Sequence, residues 1–208
     1  IRPSAAVVRH SEFMLTLPKL ILASESPRRS EILSSVGWEF EKHAAAIDES
    51  ERDGETPEQY VRRLARGKAS AVAERFTNGL VLGADTTVVV GAGILGKPSG
   101  LDDARRMLEM LSGRSHIVLT GVAVAHNGRV WDAVEATTVN FCEMSADEIE
   151  YHAEKGDPLD KAGAYAVQAQ AALFISGIEG DYWNVVGLPV QLVYRLIKKS
   201  LHEAGLRA

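Results

Sequence analysis

Apolar positions along this chain change period several times, and each change marks an element. Leu20, Ile21 and Leu22 form a short apolar run that predicts a strand. Behind it, Ile32, Leu33 and Val36 recur at helical spacing up to Gly37. Ser26 fits the N-cap of that helix and Pro27 its first position, where a missing N–H costs nothing. His43 to Ile47 predicts a second strand, followed by an acidic loop at Asp48, Glu49 and Ser50. Thr56-Pro57-Glu58-Gln59 has the form of a capping box and opens a helix to about Phe76, with Val61, Leu64, Ala65, Ala69, Val72 and Ala73 on one stripe. Leu80 to Val90 is a near-continuous apolar, β-branched run, the pattern of a buried central strand.

The second half alternates differently. A helix is predicted over Asp102 to Leu111, stopping near Gly113. Two long β runs, His116–His126 and Arg129–Met144, flank Asn127-Gly128, a strong hairpin signal. Ser145 to Glu148 is a second capping box, opening a helix that stops at Gly156. Ala171–Ile178 and Tyr182–Val186 read as strands joined by a turn at Glu179-Gly180-Asp181, and Pro189 starts a last helix ending near Gly205. Crossovers and hairpins together predict an α/β fold with a mixed β-sheet and flanking helices.

Composition narrows the function classes. A chain of 208 residues with 46% hydrophobic and 25% charged positions is ordinary for a globular domain. Its net charge of −5 argues against a broad nucleic-acid surface, so any anion site is a local cationic pocket. A single cysteine, Cys142, forms no internal disulfide and predicts a reducing, cytoplasmic setting. No apolar run approaches the roughly 20 residues of a membrane span. Residues 1–17 read as an extension or tag remnant, with a faint transit-peptide character that Glu12 and the short length weaken, and 18–208 as one domain.

Four places break the rules of folding economy. Arg28 and Arg29 fall in the first turn of a helix, where the dipole disfavours cations; they are either two solvated arginines or half of a polyphosphate site. Lys68 lies within an apolar stripe, as a snorkelling lysine at the core edge or as a buried functional cation. Asp85 lies within a buried strand, which costs several kcal/mol unless the carboxylate is paired, protonated or metal-bound; general base, Mg²⁺ ligand and structural aspartate are all open. Asp160-Lys161 stands in a glycine-bearing loop, as a surface ion pair or a ligand contact.

These residues belong to a larger pattern. Ser24-x-Ser26-Pro27-Arg28-Arg29, Gly83-Ala84-Asp85-Thr86, Gly96-Lys97-Pro98, Asp160-Lys161-Ala162-Gly163-Ala164-Tyr165 with Gln168, and Val185-Val186-Gly187-Leu188-Pro189 together resemble the Maf family. These are nucleoside triphosphate pyrophosphatases, once described as septum-formation proteins. The resemblance covers about residues 18 to 200. It implies two lobes around a cleft, as in inosine triphosphate pyrophosphatases, and hydrolysis of a nucleoside triphosphate to the monophosphate and pyrophosphate with Mg²⁺ or Mn²⁺. By position, Asp85 matches the catalytic carboxylate. Ser24, Arg28, Arg29, Lys68 and Lys97 match phosphate-binding groups, and Glu49 matches a carboxylate near the metal.

The Asp160–Tyr165 form is similar to the dTTP/UTP subgroup, in which the positions of Arg28, Thr86 and Gln168 are associated with substrate choice. Ala169 and Gln170 depart from the glycine that often follows the glutamine. The mechanism implied is attack on the α-phosphorus by a water activated by Asp85 or bound to the metal. Gln168 and Thr86 are expected to read the O2, N3–H and O4 edge of uracil or thymine, a pattern that cytosine lacks. The alternatives are the same chemistry on another nucleotide, such as 7-methyl-GTP, or a nucleotide-binding regulator of cell division. A homodimer is common among such proteins; membrane and nucleic-acid partners are not expected.

Overall fold

The computed structural model describes residues 18–205; the segment 1–17, read above as an extension, lies outside the described residues. One mixed sheet of seven strands organises the chain in the order β2-β1-β3-β5-β6-β7, with β4 also paired to β3. Strands β1 (Leu20–Leu22) and β2 (Phe40–Lys42) run parallel, and β1 is parallel to β3 (Val81–Val90). The remaining pairs, formed by β4 (Gly93–Leu95), β5 (Ser115–His126), β6 (Arg129–Phe141) and β7 (Ile175–Glu179), are antiparallel. The β5–β6 hairpin turns at Asn127 and Gly128, whose φ values of 47° and 74° suit a type I′ turn.

Helix α1 (Pro27–Ser35) follows β1, and α2 (Pro57–Ala73) follows a long loop after β2. Both predicted capping boxes form. Thr56 opens α2, and Ser145 opens α4 (Ala146–Lys155). The predicted helix near Asp102 is α3 (Leu101–Leu111), and the last helix is α6 (Val190–Glu203). No helix among the described residues is long and apolar enough to cross a membrane.

Alternation along β3 sets which residues meet which helix. Val81, Gly83 and Asp85 face α2, where Ala65, Ala69, Val72, Ala123 and Ala125 form a core of small residues. Leu82 and Ala84 face the other way into a core with Ile32, Leu33, Leu192 and Ile197. Farther along that face, Val88 and Val118 enter a second core with Leu108, Leu111, Phe141 and Tyr165. The two cores are separated by the polar positions Thr86, paired in register with Thr120, and Asn184. Of these, Thr86 lines the cavity described below.

Two predicted strands are corrected. His43 to Ile47 is irregular chain, and the strand lies just before it at Phe40–Lys42, where β1 supplies the pairing. Tyr182–Val186 is a short helix, α5, despite its β-branched residues. Asp181 caps it, accepting from the backbone N–H of Trp183 and Asn184, and this local bonding outweighs strand propensity. In the same region Gln170–Leu173 is a 3₁₀ turn that precedes β7.

Candidate functional site

The edge of β3 explains where the cleft opens. On β3, strand β1 pairs only with Val81 and Leu82, and β4 only with Val88 to Val90. Between them, Gly83 to Thr87 have no strand on that side. The sheet therefore splits at the carboxyl end of a parallel strand, the place where open α/β sheets bind ligands. A cavity of about 490 Å³ lies there, with every site residue predicted above on its wall. That volume is in the range of small-molecule sites.

The end of β1 and the start of α1 form one wall. Ser26 holds the N-cap position, but its side chain caps nothing; its N–H donates to Ser24 Oγ at 3.2 Å. Arg29 is buried, donating from Nε to the Gly187 carbonyl, from one terminal nitrogen to Ser24 Oγ and from the other to Thr86 Oγ1, at 3.0, 3.1 and 3.0 Å. Three of its five N–H groups are thus engaged within the protein, leaving two. Burial lowers its pKa, opposed by the Asp85 carboxylate. Thr86 Oγ1 also lies 2.9 Å from Thr120 Oγ1 and 3.3 Å from the Gly187 carbonyl, so its hydroxyl is satisfied within the protein. Arg28 reaches across the cleft, donating to Asp160 Oδ2 and to the Asp160 carbonyl, both at 3.0 Å.

The opposite wall is the loop after α4. Lys161 is buried and donates to the Asp157 carbonyl, to Asp157 Oδ2 at 3.1 Å and to Asp160 Oδ1 at 2.5 Å. Burial would raise the Asp160 pKa, but Lys161 and Arg28 outweigh it and hold the carboxyl below its ordinary value. Lys97 and Gln168 are exposed cavity-lining side chains. Tyr165 plugs the base of this wall, with His116 Nε2 2.7 Å from its hydroxyl.

Helix α2 supplies the third wall. Lys68 and Asp85 are both buried, at 8% and 9% exposure, and Lys68 Nζ donates to Asp85 Oδ1 at 2.7 Å. The same ammonium lies 3.0 Å from Glu49 Oε1. Asp85 Oδ2 has no hydrogen-bond partner among the described residues. Sequence reasoning missed Tyr60, whose hydroxyl donates to the Glu49 carbonyl at 3.1 Å and so tethers the loop that carries this carboxylate. Burial raises its pKa to about 12, helped by the charges of Asp85 and Glu49, so it stays a proton donor. The signal was its place two helical turns before Lys68, on the same broad face.

The buried pair His116 and Tyr165 gives a stability prediction. Burial lowers the His116 pKa to about 4, against about 6.5 in an unfolded chain. As pH falls below 6.5 the unfolded state takes up the proton first, so stability present above that pH is lost down to about pH 4. The loss expected from this histidine between pH 7 and pH 5 is about 2 kcal/mol. Urea unfolding at the two pH values measures it, and His116→Gln should flatten the dependence. An unchanged slope in the variant would assign the effect to other groups.

Three comparisons with known proteins bear on this site. A family model described as Maf-like protein matches residues 19–200. A dTTP/UTP pyrophosphatase of Koribacter versatilis (strain Ellin345) is 47% identical over 181 residues, covering 87% of this chain and 94% of that protein. One of Moorella thermoacetica is 49% identical over 183 residues, covering 87% and 94%. Among solved structures, the Staphylococcus aureus Ham1 protein is similar with 14% identity and a TM-score of 0.48, over 90% of this chain and all of that one.

Proposed function

The chain belongs to the Maf-like protein family, and from that premise we propose that it is a dTTP/UTP pyrophosphatase, hydrolysing these nucleotides to the monophosphate and pyrophosphate within the single domain 18–208. The observation that supports this most is the pairing of a buried carboxylate, Asp85, with a cleft whose walls carry Arg28, Arg29, Lys68, Lys97 and Lys161. The curated relatives named dTTP/UTP pyrophosphatase support the choice of substrate.

A divalent metal fits the donor set. Two hard carboxylates from different elements, Asp85 and Glu49, both reach one cation, the Lys68 ammonium. Two carboxylates suit Mg²⁺ or Mn²⁺, since Mg²⁺ is commonly held by one or two carboxylates plus substrate phosphates and waters. When bound, the metal supplies charge neutralisation on the triphosphate and the leaving pyrophosphate.

The chain's own groups do the rest. Asp85 Oδ2 accepts the proton of the attacking water; in the ligand-free site Lys68 holds Oδ1 and keeps the carboxylate aimed. Arg28 and Lys97, with the spare N–H groups of Arg29, neutralise phosphate oxygens. Ser24 and Thr86 act by fixing the Arg29 fork, since both hydroxyls accept from it. Asp160, anchored by Lys161, sets the position of Arg28. Gln168 reads the pyrimidine edge. Arg28 is the link between phosphate binding and substrate choice, because its partner Asp160 lies in the loop that leads to Gln168. The reading carries with it a cytoplasmic setting, a nucleoside triphosphate as partner and no nucleic-acid or membrane partner; light scattering of the purified protein tests whether two copies associate.

A pyrophosphate-release assay with dTTP, UTP, dUTP, CTP and 7-methyl-GTP tests the reading. Turnover of dTTP and UTP is expected, with CTP slower by at least about tenfold because its N3 and C4 groups reverse the hydrogen-bond pattern. Equal rates for CTP and UTP would overturn the role of Gln168. Preference for 7-methyl-GTP would overturn the substrate class, and triphosphate binding without pyrophosphate release would overturn the enzyme.

A further inference from the structure

Lys68 presents a conflict inside the site. Its ammonium lies 2.7 Å from Asp85 Oδ1 and 3.0 Å from Glu49 Oε1, the two carboxylates that would hold the metal. The Lys68 and Asp85 side chains are only 11% and 12% exposed, so solvent screens them little. A divalent cation on these carboxylates brings two further positive charges close to an ammonium already there, and the guanidinium of Arg29 adds to the field. Like charges at such separations repel by several kcal/mol where the effective dielectric is low. The cation enters freely only if Lys68 gains another anion. The other carboxylates lining the cleft are Glu25 and Asp160; neither pairs with Lys68, and Asp160 is already engaged by Arg28 and Lys161, so that anion must come with the ligand.

We propose that Lys68 is a resident counter-ion that keeps divalent metal off Asp85 and Glu49 until a triphosphate arrives. The phosphate oxygens give its ammonium a new partner and free the carboxylates. Metal and nucleotide then bind with positive coupling, and the coupling is reciprocal. Metal alone binds weakly, so the apo protein does not hold a metal-activated water in the absence of substrate. The proposal rests on the reading of the substrate as a nucleoside triphosphate, and it assigns Lys68 a role in the order of binding beyond phosphate contact.

The test is Mn²⁺ binding without nucleotide, followed by calorimetry or by the loss of the free-ion paramagnetic resonance signal. Lys68→Met should bind Mn²⁺ at least about tenfold more tightly than the unaltered protein, while Lys68→Arg, which keeps the charge, should not gain. Adding Asp85→Asn or Glu49→Gln to Lys68→Met should abolish the gain. A non-hydrolysable dTTP analogue should raise the Mn²⁺ affinity of the unaltered protein by at least about tenfold, and that of Lys68→Met much less. Equal or weaker Mn²⁺ binding by Lys68→Met overturns the proposal, as does a gain that survives either Asp85→Asn or Glu49→Gln.

Should Lys68→Met be unfolded without metal, thermal melting with and without Mn²⁺ decides: recovery of a transition on adding Mn²⁺ supports the proposal, and indifference to Mn²⁺ overturns it. Failure of the substrate reading shows separately, as absence of pyrophosphate release from dTTP by the unaltered protein.

Discussion

Asp85→Asn lowers turnover of dTTP by at least two orders of magnitude and leaves the fold intact. Loss of a general base is commonly worth 10²–10⁴ in rate. The substitution keeps the shape of the side chain, and an amide oxygen can still accept from Lys68, so the 2.7 Å contact is weakened rather than abolished. What is lost is the second carboxylate oxygen, the only one of the pair not engaged by Lys68, and with it the ability to take a proton from water. Glu49 remains as a counter-charge for Lys68, which limits the cost to stability. Steady-state kinetics with dTTP, beside thermal melting, separates the two effects. Turnover within tenfold of the unaltered protein would remove Asp85 from its catalytic role; a collapse of the melting transition would show that the carboxylate serves the fold first.

Much of the frame was legible because its signals are local. A capping box needs four consecutive residues, and both were read correctly at Thr56 and Ser145. The Asn127-Gly128 turn fixed the β5–β6 hairpin for the same reason. The buried charges were legible as violations: Lys68 on an apolar stripe and Asp85 in an apolar strand each demanded a partner. That they are each other's partner was not legible, since 17 positions separate them and only the packing of α2 on β3 brings them together. Helix α5 was misread because Tyr182 to Val186 has strand-like composition. Its conformation is decided by Asp181 and by the buried Asn184, which donates to the Val118 carbonyl and to Thr137 Oγ1, both at 2.9 Å and both distant in sequence. Tyr60 escaped notice because a tyrosine on a helix breaks no rule; only the path of the Glu49 loop gives its hydroxyl a task.

The close approach of α2 to the sheet is what places Lys68 over Asp85, and it predicts the largest loss of stability. Gly121 stands opposite Asp85 in the β3–β5 register, on the face that meets α2. A Cβ there would lie 2.2 Å from the Val61 carbonyl oxygen and 2.9 Å from the Arg62 nitrogen. Gly83, on the neighbouring strand, would place its Cβ 2.4 Å from the Ala65 carbonyl oxygen and 2.6 Å from the Ala69 nitrogen. These obstacles are helix backbone, which no change of rotamer removes.

Chain entropy alone favours alanine over glycine in a strand by about 0.5–1 kcal/mol. Overpacking a filled core costs about 1–3 kcal/mol, and more where backbone must move. The steric effect therefore wins. Gly121→Ala is expected to destabilise by about 3 kcal/mol, a fall of about 6–12 °C in melting temperature for a chain of this size. Because relief requires α2 to lift from the sheet, Lys68 moves away from Asp85, and the variant that still folds loses activity as well. Melting within 2 °C of the unaltered protein would show that the helix has room to move, and the close contact would then not be what holds the Lys68–Asp85 pair in place.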